Sequence, residues 1–264
     1  AFNRVVGFTA ADGTQSTTTA YDGFTVTVTD ASTCSSTFST AVTQPVSGVN
    51  ITPVPVSASC FGTSTGSISL TLSGGTAPYT YNWGGGVTTS ARTNIPAGSY
   101  SVTVTDLNGC TAAQTTSVTQ PTLLSASANQ TNAGCFGASN GAIQLSVTGG
   151  TASYSYLWSN NATTQNLSGL SSGTYSVTVQ DAKSCTATQS VSITQPTAIS
   201  VSAIANSPSC SGTVNGSVNL TVSGGTAGYT FLWNNSATTQ NLSNVAAGTY
   251  QVTVTDTKGC SATG

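Results

Sequence analysis

Gly74-Gly75-Thr76-Ala77-Pro78-Tyr79-Thr80-Tyr81-Asn82-Trp83 decides how this chain is read, because the run comes back twice. It starts again at Gly149-Gly150-Thr151 and ends at Trp158, then once more from Gly224-Gly225-Thr226 to Trp233, 75 residues further on each time. A fixed period of this size marks a serial array of one supersecondary unit. Within the run a Gly-Gly turn feeds a strand that alternates Tyr79, Tyr81 and Trp83 with polar residues, the two-residue period of a strand with one buried face.

Outward from that turn every signal is β. Ile68, Leu70 and Leu72 alternate ahead of it, as do Ile143, Leu145 and Val147, and Val218, Leu220 and Val222. Further on, Tyr100, Val102 and Val104 face one way and Ser101, Thr103 and Thr105 the other, and Asn108-Gly109 is a hairpin turn signal. Nothing has helical period. Short strands at this spacing predict an all-β tandem array of small antiparallel β-sandwiches.

Thr-Gln-Pro recurs with its proline at Pro45, Pro121 and Pro196. Proline cannot donate to a sheet ladder, so the tripeptide marks the end of a last strand and the joint between units. The expected division is 1–45, the C-terminal half of a repeat; 46–121 and 122–196, two complete repeats; and 197–264, a third whose last strand is missing. A chain that starts and stops inside repeats is expected to be a window on a much longer fibre with an axial period of roughly 35–50 Å.

Composition excludes several functions. Only 4% of the 264 residues are charged, the net charge is −2, His is lacking and every acidic residue is Asp. Four scattered cations, Arg4, Arg92, Lys183 and Lys258, cannot replace the counterions of a nucleic acid. No apolar run approaches the roughly 18 residues of a membrane span. With neither His nor Glu the means of acid–base catalysis are nearly gone, so neither enzymatic activity nor a cofactor is expected.

Four aspartates, Asp30, Asp106, Asp181 and Asp256, stand four residues before a cysteine. The bland reading, a side chain capping its own turn, outweighs a calcium site, which needs more than one carboxylate. Trp83, Trp158 and Trp233, with Tyr100, Tyr175 and Tyr250, are read as core aromatics. Stacking of the tryptophans on sugar is the competing use.

The seven cysteines form two series, Cys60, Cys135 and Cys210, and Cys34, Cys110, Cys185 and Cys260. None has a second Cys or a His at ligand spacing, so no metal site is expected. Disulfides in an oxidising compartment are. Pairing within each repeat gives Cys60–Cys110, Cys135–Cys185 and Cys210–Cys260 and leaves Cys34 unpaired. In a simple sandwich order, however, the first cysteine ends one strand and the second opens a strand parallel to it, at opposite ends of a layer roughly 25 Å long. A disulfide needs Cα atoms within about 7 Å. Bonds across the joints, Cys60–Cys185 and Cys135–Cys260, are therefore the alternative, and spacing alone leaves both open.

Taken in order, Cys60-Phe61-Gly62, Gly66-Ser67-Ile68, Gly74-Gly75-Thr76-Ala77-Pro78-Tyr79, Trp83, Ala97-Gly98-Ser99-Tyr100-Ser101-Val102-Thr103-Val104-Thr105-Asp106 and Asn108-Gly109-Cys110 resemble the SprB-type repeat. That family occurs in very long surface adhesins of gliding Gram-negative bacteria exported by the type IX secretion system, and is more distantly similar to polycystic-kidney-disease-type and immunoglobulin-like sandwiches. The resemblance implies an extended rod at the bacterial cell surface, a structural and adhesive segment serving attachment, gliding or cell–cell contact. Its implied partners are neighbouring repeats, other copies in a fibre, and surface polysaccharide or an abiotic surface. A carbohydrate-binding array and a passive stalk presenting a head elsewhere are the alternative readings. Phe24, where Tyr100, Tyr175 and Tyr250 stand, and Ser211, where Phe61 and Phe136 stand, depart from the pattern.

Overall fold

The computed structural model describes residues 8–9, 15–16, 24–30, 32–40 and 48–264, with side chains over 27–30, 32–38 and 48–264. The first Thr-Gln-Pro, 43–45, and the side chain of Phe24 lie outside the described residues. The chain divides into two compact units: Ala1–Val56, Ser67–Thr93 and Gly98–Val118, and then Ser57–Gly66, Asn94–Ala97 and Thr119–Gly264.

In the first unit, β1 (Phe8–Thr9) pairs with β2 (Gln15–Ser16), and β3 (Phe24–Thr29) forms an antiparallel hairpin with β4 (Ser35–Thr40). The first copy of the repeat begins with β5 (Asn50–Val56), antiparallel to β6 (Gly66–Ser73) from Asn50 opposite Ser73 to Val56 opposite Ser67. A second sheet has the order β10 (Thr111–Val118), β9 (Gly98–Thr105), β7 (Thr80–Asn82). A short β8 (Arg92–Ile95) falls across the division of the two units.

The second unit contains the other two copies whole. In one, β11 (Ser125–Thr131), β12 (Gly141–Thr148) and β14 (Leu167–Leu170) make a sheet in that order, and β13 (Ser155–Trp158), β15 (Gly173–Gln180) and β16 (Thr186–Ile193) make the other. The next copy repeats this with β17 (Ser200–Asn206), β18 (Gly216–Ser223) and β20 (Leu242–Val245), and with β19 (Thr230–Trp233), β21 (Val252–Thr255) and β22 (Ser261–Thr263). Every registered pair is antiparallel.

Alternation makes each pair of sheets a sandwich. In β12, Ile143 and Leu145 are buried while Gln144 and Ser146 are exposed; in β15, Val177 and Val179 are buried between exposed Ser176 and Thr178. The buried faces of both sheets share one core, formed by Ile143, Leu145, Trp158, Leu167, Leu170, Val177, Val179, Val191 and Ile193. Val218, Leu220, Trp233, Leu242, Val252 and Val254 form its counterpart in the next copy. The last strand expected to be missing there is present as the three residues of β22, extended by a pair of backbone bonds between Val252 and Gly264. A hairpin ladder closes outward from its turn, so even a few residues beyond the turn suffice to pair.

Candidate functional site

The repeated Gly-Gly-Thr turn and the repeated Asp-to-Cys turn are two halves of one structure. Both glycines of each pair take left-handed backbone, as at Gly149 (φ 74°) and Gly150 (φ 64°). A Cβ on Gly149 would lie 1.9 Å from the Leu123 carbonyl oxygen, and one on Gly224 equally close to that of Ala198. Glycine is therefore required for its φ and for the close approach of the segment that begins the copy. The carbonyl of the first glycine accepts the hydroxyl of the tyrosine five residues on, at 2.7 Å for Tyr79 and 2.6 Å for Tyr154. Tyr229 donates likewise to Gly224.

Across from this turn sits an aspartate only 5% exposed, Asp106, Asp181 or Asp256. Its Oδ1 caps its own hairpin, taking the N–H groups of Lys183 (2.8 Å) and Cys185 (2.9 Å) at Asp181. Its Oδ2 reaches thirty residues back to the N–H of Thr76, Thr151 or Thr226, at 2.8–2.9 Å. The Thr76 N–H is the strongest influence lowering the Asp106 carboxyl below its ordinary range, against burial and with help from Cys110 and Asn108; Asp256 follows the same order from Thr226. At Asp181 burial is the largest influence and raises the pKa, yet the N–H groups of Thr151, Cys185 and Lys183 and the Lys183 charge outweigh it. With both oxygens turned onto backbone donors, the carboxylate locks two turns together. Among the described residues no group of three or more His, Cys, Asp or Glu could hold a metal ion.

One series of cysteines is placed by these same turns and the other by the loops after β5 and β11. Cys185 follows the Asp181 turn and opens β16, whereas Cys135 follows the end of β11. Where β11 stops, Ala133 N–H donates to the carbonyl of Thr194, just past the end of β16 (2.9 Å), so those two strands finish at the same end of the copy. Cys135 and Cys185 are thus separated by the length of an eight-residue strand, about 25 Å. The within-repeat pairs Cys60–Cys110, Cys135–Cys185 and Cys210–Cys260 are accordingly not formed. Cys60 is bonded instead to Cys185 and Cys135 to Cys260, with Cα atoms 5.7 and 5.6 Å apart and a sequence separation of 125 in both. Cys110 and Cys210 join Cys34 as exposed free thiols.

The glutamine of Thr-Gln-Pro completes the joint. Gln120 Oε1 accepts the N–H of Gly62 at 2.7 Å, and Gln195 Oε1 that of Gly137 at 2.8 Å, fixing the loop that carries Cys60 or Cys135. Sequence reading overlooked both glutamines and the second reach of the aspartates. The available signal was the constant interval of thirty residues from the threonine of each Gly-Gly-Thr to the aspartate.

Trp83, Trp158 and Trp233 are 8%, 1% and 3% exposed, and each indole Nε1–H donates to the carbonyl of Thr89, Thr164 or Thr239 at 2.8–2.9 Å. Rings so enclosed offer no face to a sugar. Tyr175 and Tyr250 donate their hydroxyls to the carbonyls four residues upstream, Ser171 and Ala246, and Tyr100 lies 5.0 Å from the Arg92 guanidinium carbon. Large exposed apolar side chains lie elsewhere, among them Phe61 and Phe136 beside the bonded cysteines and Leu157 and Leu232 beside the tryptophans.

The SprB repeat family model matches this chain three times, at residues 52–88, 127–163 and 202–238. Each match starts in the first strand of a copy and ends in the loop beyond its tryptophan. No curated protein matches the sequence. Among solved structures, the N-terminal eight immunoglobulin domains of Down syndrome cell adhesion molecule are similar at 12% identity and a TM-score of 0.32, covering 97% of this chain and 42% of that one. A Dscam structure on isoform specificity gives 14% and 0.27, over 74% of this chain and 66% of that one. Dpr2 Ig1-Ig2 in complex with DIP-Theta Ig1-Ig3 gives 9% and 0.28, over 83% and 98%. The fold rests on the ladders and cores described above and not on these likenesses.

Proposed function

Because this chain carries three SprB repeats, we propose that it is a structural and adhesive segment of a long bacterial cell-surface fibre. In this reading 46–121, 122–196 and 197–264 are successive sandwiches of an extended rod, and 1–45 is the C-terminal half of another. Its work is mechanical, in surface attachment, gliding or cell–cell contact after export by type IX secretion, with no catalysis and no cofactor. Its partners are neighbouring repeats, other copies, and a polysaccharide or abiotic surface. The observation that carries the reading is the threefold SprB match, one hit in each copy; the bonds Cys60–Cys185 and Cys135–Cys260, each tying one repeat to the next, suit such an array. Bonds of this kind persist in oxidising, extracytoplasmic settings. No helix among the described residues is long and apolar enough to cross a membrane.

The test is antibody raised against this chain and applied to intact source cells. Surface label that protease shaving removes, with attachment to glass lost when the coding segment is deleted, is the expected result. Label that needs permeabilised cells, or deletion without effect on attachment, overturns the reading.

A further inference from the structure

The two disulfides do more than staple neighbouring sandwiches, because of where they enter the covalent chain. From Cys60 the backbone needs 150 residues to reach Cys210. Through the Cys60–Cys185 bond the path is only the 25 residues from Cys185 to Cys210. Of these, β16 supplies eight and β17 seven, already extended, with the Thr194-Gln195-Pro196 joint between them. At about 3.4 Å per residue the short path reaches roughly 85 Å, against roughly 510 Å for the long one. The other strands of the second copy, β11 to β15, lie outside the short path. The Cys135–Cys260 bond makes the same shortcut one repeat later, from the end of β11 to the start of β22.

We propose that these staggered bonds give the array a further mechanical function, a tension bypass. Load applied along the chain runs through sulfur bridges and through the pair of strands flanking one joint. A sandwich that opens under load then releases almost no length. The separation of 125 is what produces this, since each bond passes over one whole period of 75 residues and most of a second. Bonds inside single repeats would leave every joint bridged by backbone alone. Here the joints at Pro121 and Pro196 are each crossed by one backbone strand and one disulfide. The bypass needs the array only to be pulled and does not depend on what it adheres to. Because the experiment below pulls the chain directly, its failure leaves the surface reading untouched.

The test is single-molecule stretching of the full chain carrying Cys34→Ser and Cys110→Ser, held by its N-terminus and by a thioether handle on Cys210, the free thiol that remains. The expected result is a contour length shorter by 125 residues, roughly 430 Å, in the oxidised chain than after phosphine reduction. Adding Cys60→Ser and Cys185→Ser lengthens the oxidised contour by 100 residues, roughly 340 Å, without reductant; the last 25 stay withheld until Cys135–Cys260 is reduced, because Cys210 is 50 residues from Cys260 and 75 from Cys135. Non-reducing peptide mapping of the same preparation identifies the bonded peptides whether or not a variant folds well. Equal contours before and after reduction overturn the proposal, as does a Cys210 that refuses the handle because mapping finds it bonded to Cys260.

Discussion

Asp181 Oδ2 accepts the backbone N–H of Thr151 at 2.8 Å, across thirty positions of sequence, while Oδ1 of the same carboxylate holds Lys183 and Cys185. One buried side chain thus fixes both the turn that starts β13 and the turn that presents a disulfide cysteine.

Asp181→Asn replaces an all-acceptor group with one that turns an NH₂ toward a backbone donor, so it is expected to lower the stability of its copy. The carboxyl pKa is depressed in the folded chain. Its stabilising contribution is therefore complete above the ordinary value of about 3.9 and is lost as pH falls through the depressed one. Urea midpoints of both proteins between pH 7 and pH 2 check this. The gap is expected to be constant from neutrality to about pH 5 and to close at the acid end; a gap independent of pH contradicts the assignment.

Gly149→Ala and Gly137→Ala form a matched pair. Both positions have positive φ, 74° and 71°, but a Cβ at Gly137 meets nothing within 4 Å, whereas at Gly149 it meets a backbone carbonyl. Gly137→Ala is expected to cost about 1–2 kcal/mol from φ alone. Gly149→Ala adds overpacking of about 1–3 kcal/mol. Denaturant titration of the two variants reads the difference, and equal losses refute the close approach.

Trp158→Ala removes the largest fully buried side chain of its core. A loss of about 3–5 kcal/mol is expected. In the unaltered protein, indole emission should be blue-shifted and poorly quenched by iodide. Free access of iodide to all three tryptophans contradicts the packing.

Ser184 occupies a turn position with φ 66°, where the other complete copies have Gly109 and Gly259 at 81°. Ser184→Gly relieves about 1–2 kcal/mol of left-handed strain. It gives back about 0.4–1 kcal/mol through the freer unfolded chain. A net gain of about 0.5–1 kcal/mol is expected from thermal or urea melts, and a loss shows that the serine side chain contributes something the geometry does not reveal.

Local chemistry was legible in the residues. The 75-residue period, the two-residue alternation of Ile143 and Leu145 or Val177 and Val179, and the turn residues sufficed for antiparallel β structure, because each depends on neighbours a few positions apart. The turn-capping role of Asp181 is local too, reaching two to four residues along the chain. Its bond to Thr151 is not, nor is the hold of Gln195 on Gly137 across 58 positions, because a side chain's second partner depends on which strands come together. The cysteines show the limit most plainly. Spacing alone admits both Cys135–Cys185 and Cys135–Cys260. The choice falls to the three-dimensional arrangement, in which β11 and β16 finish at the same end of a copy and place its two cysteines a strand length apart, beyond the reach of a sulfur–sulfur bond.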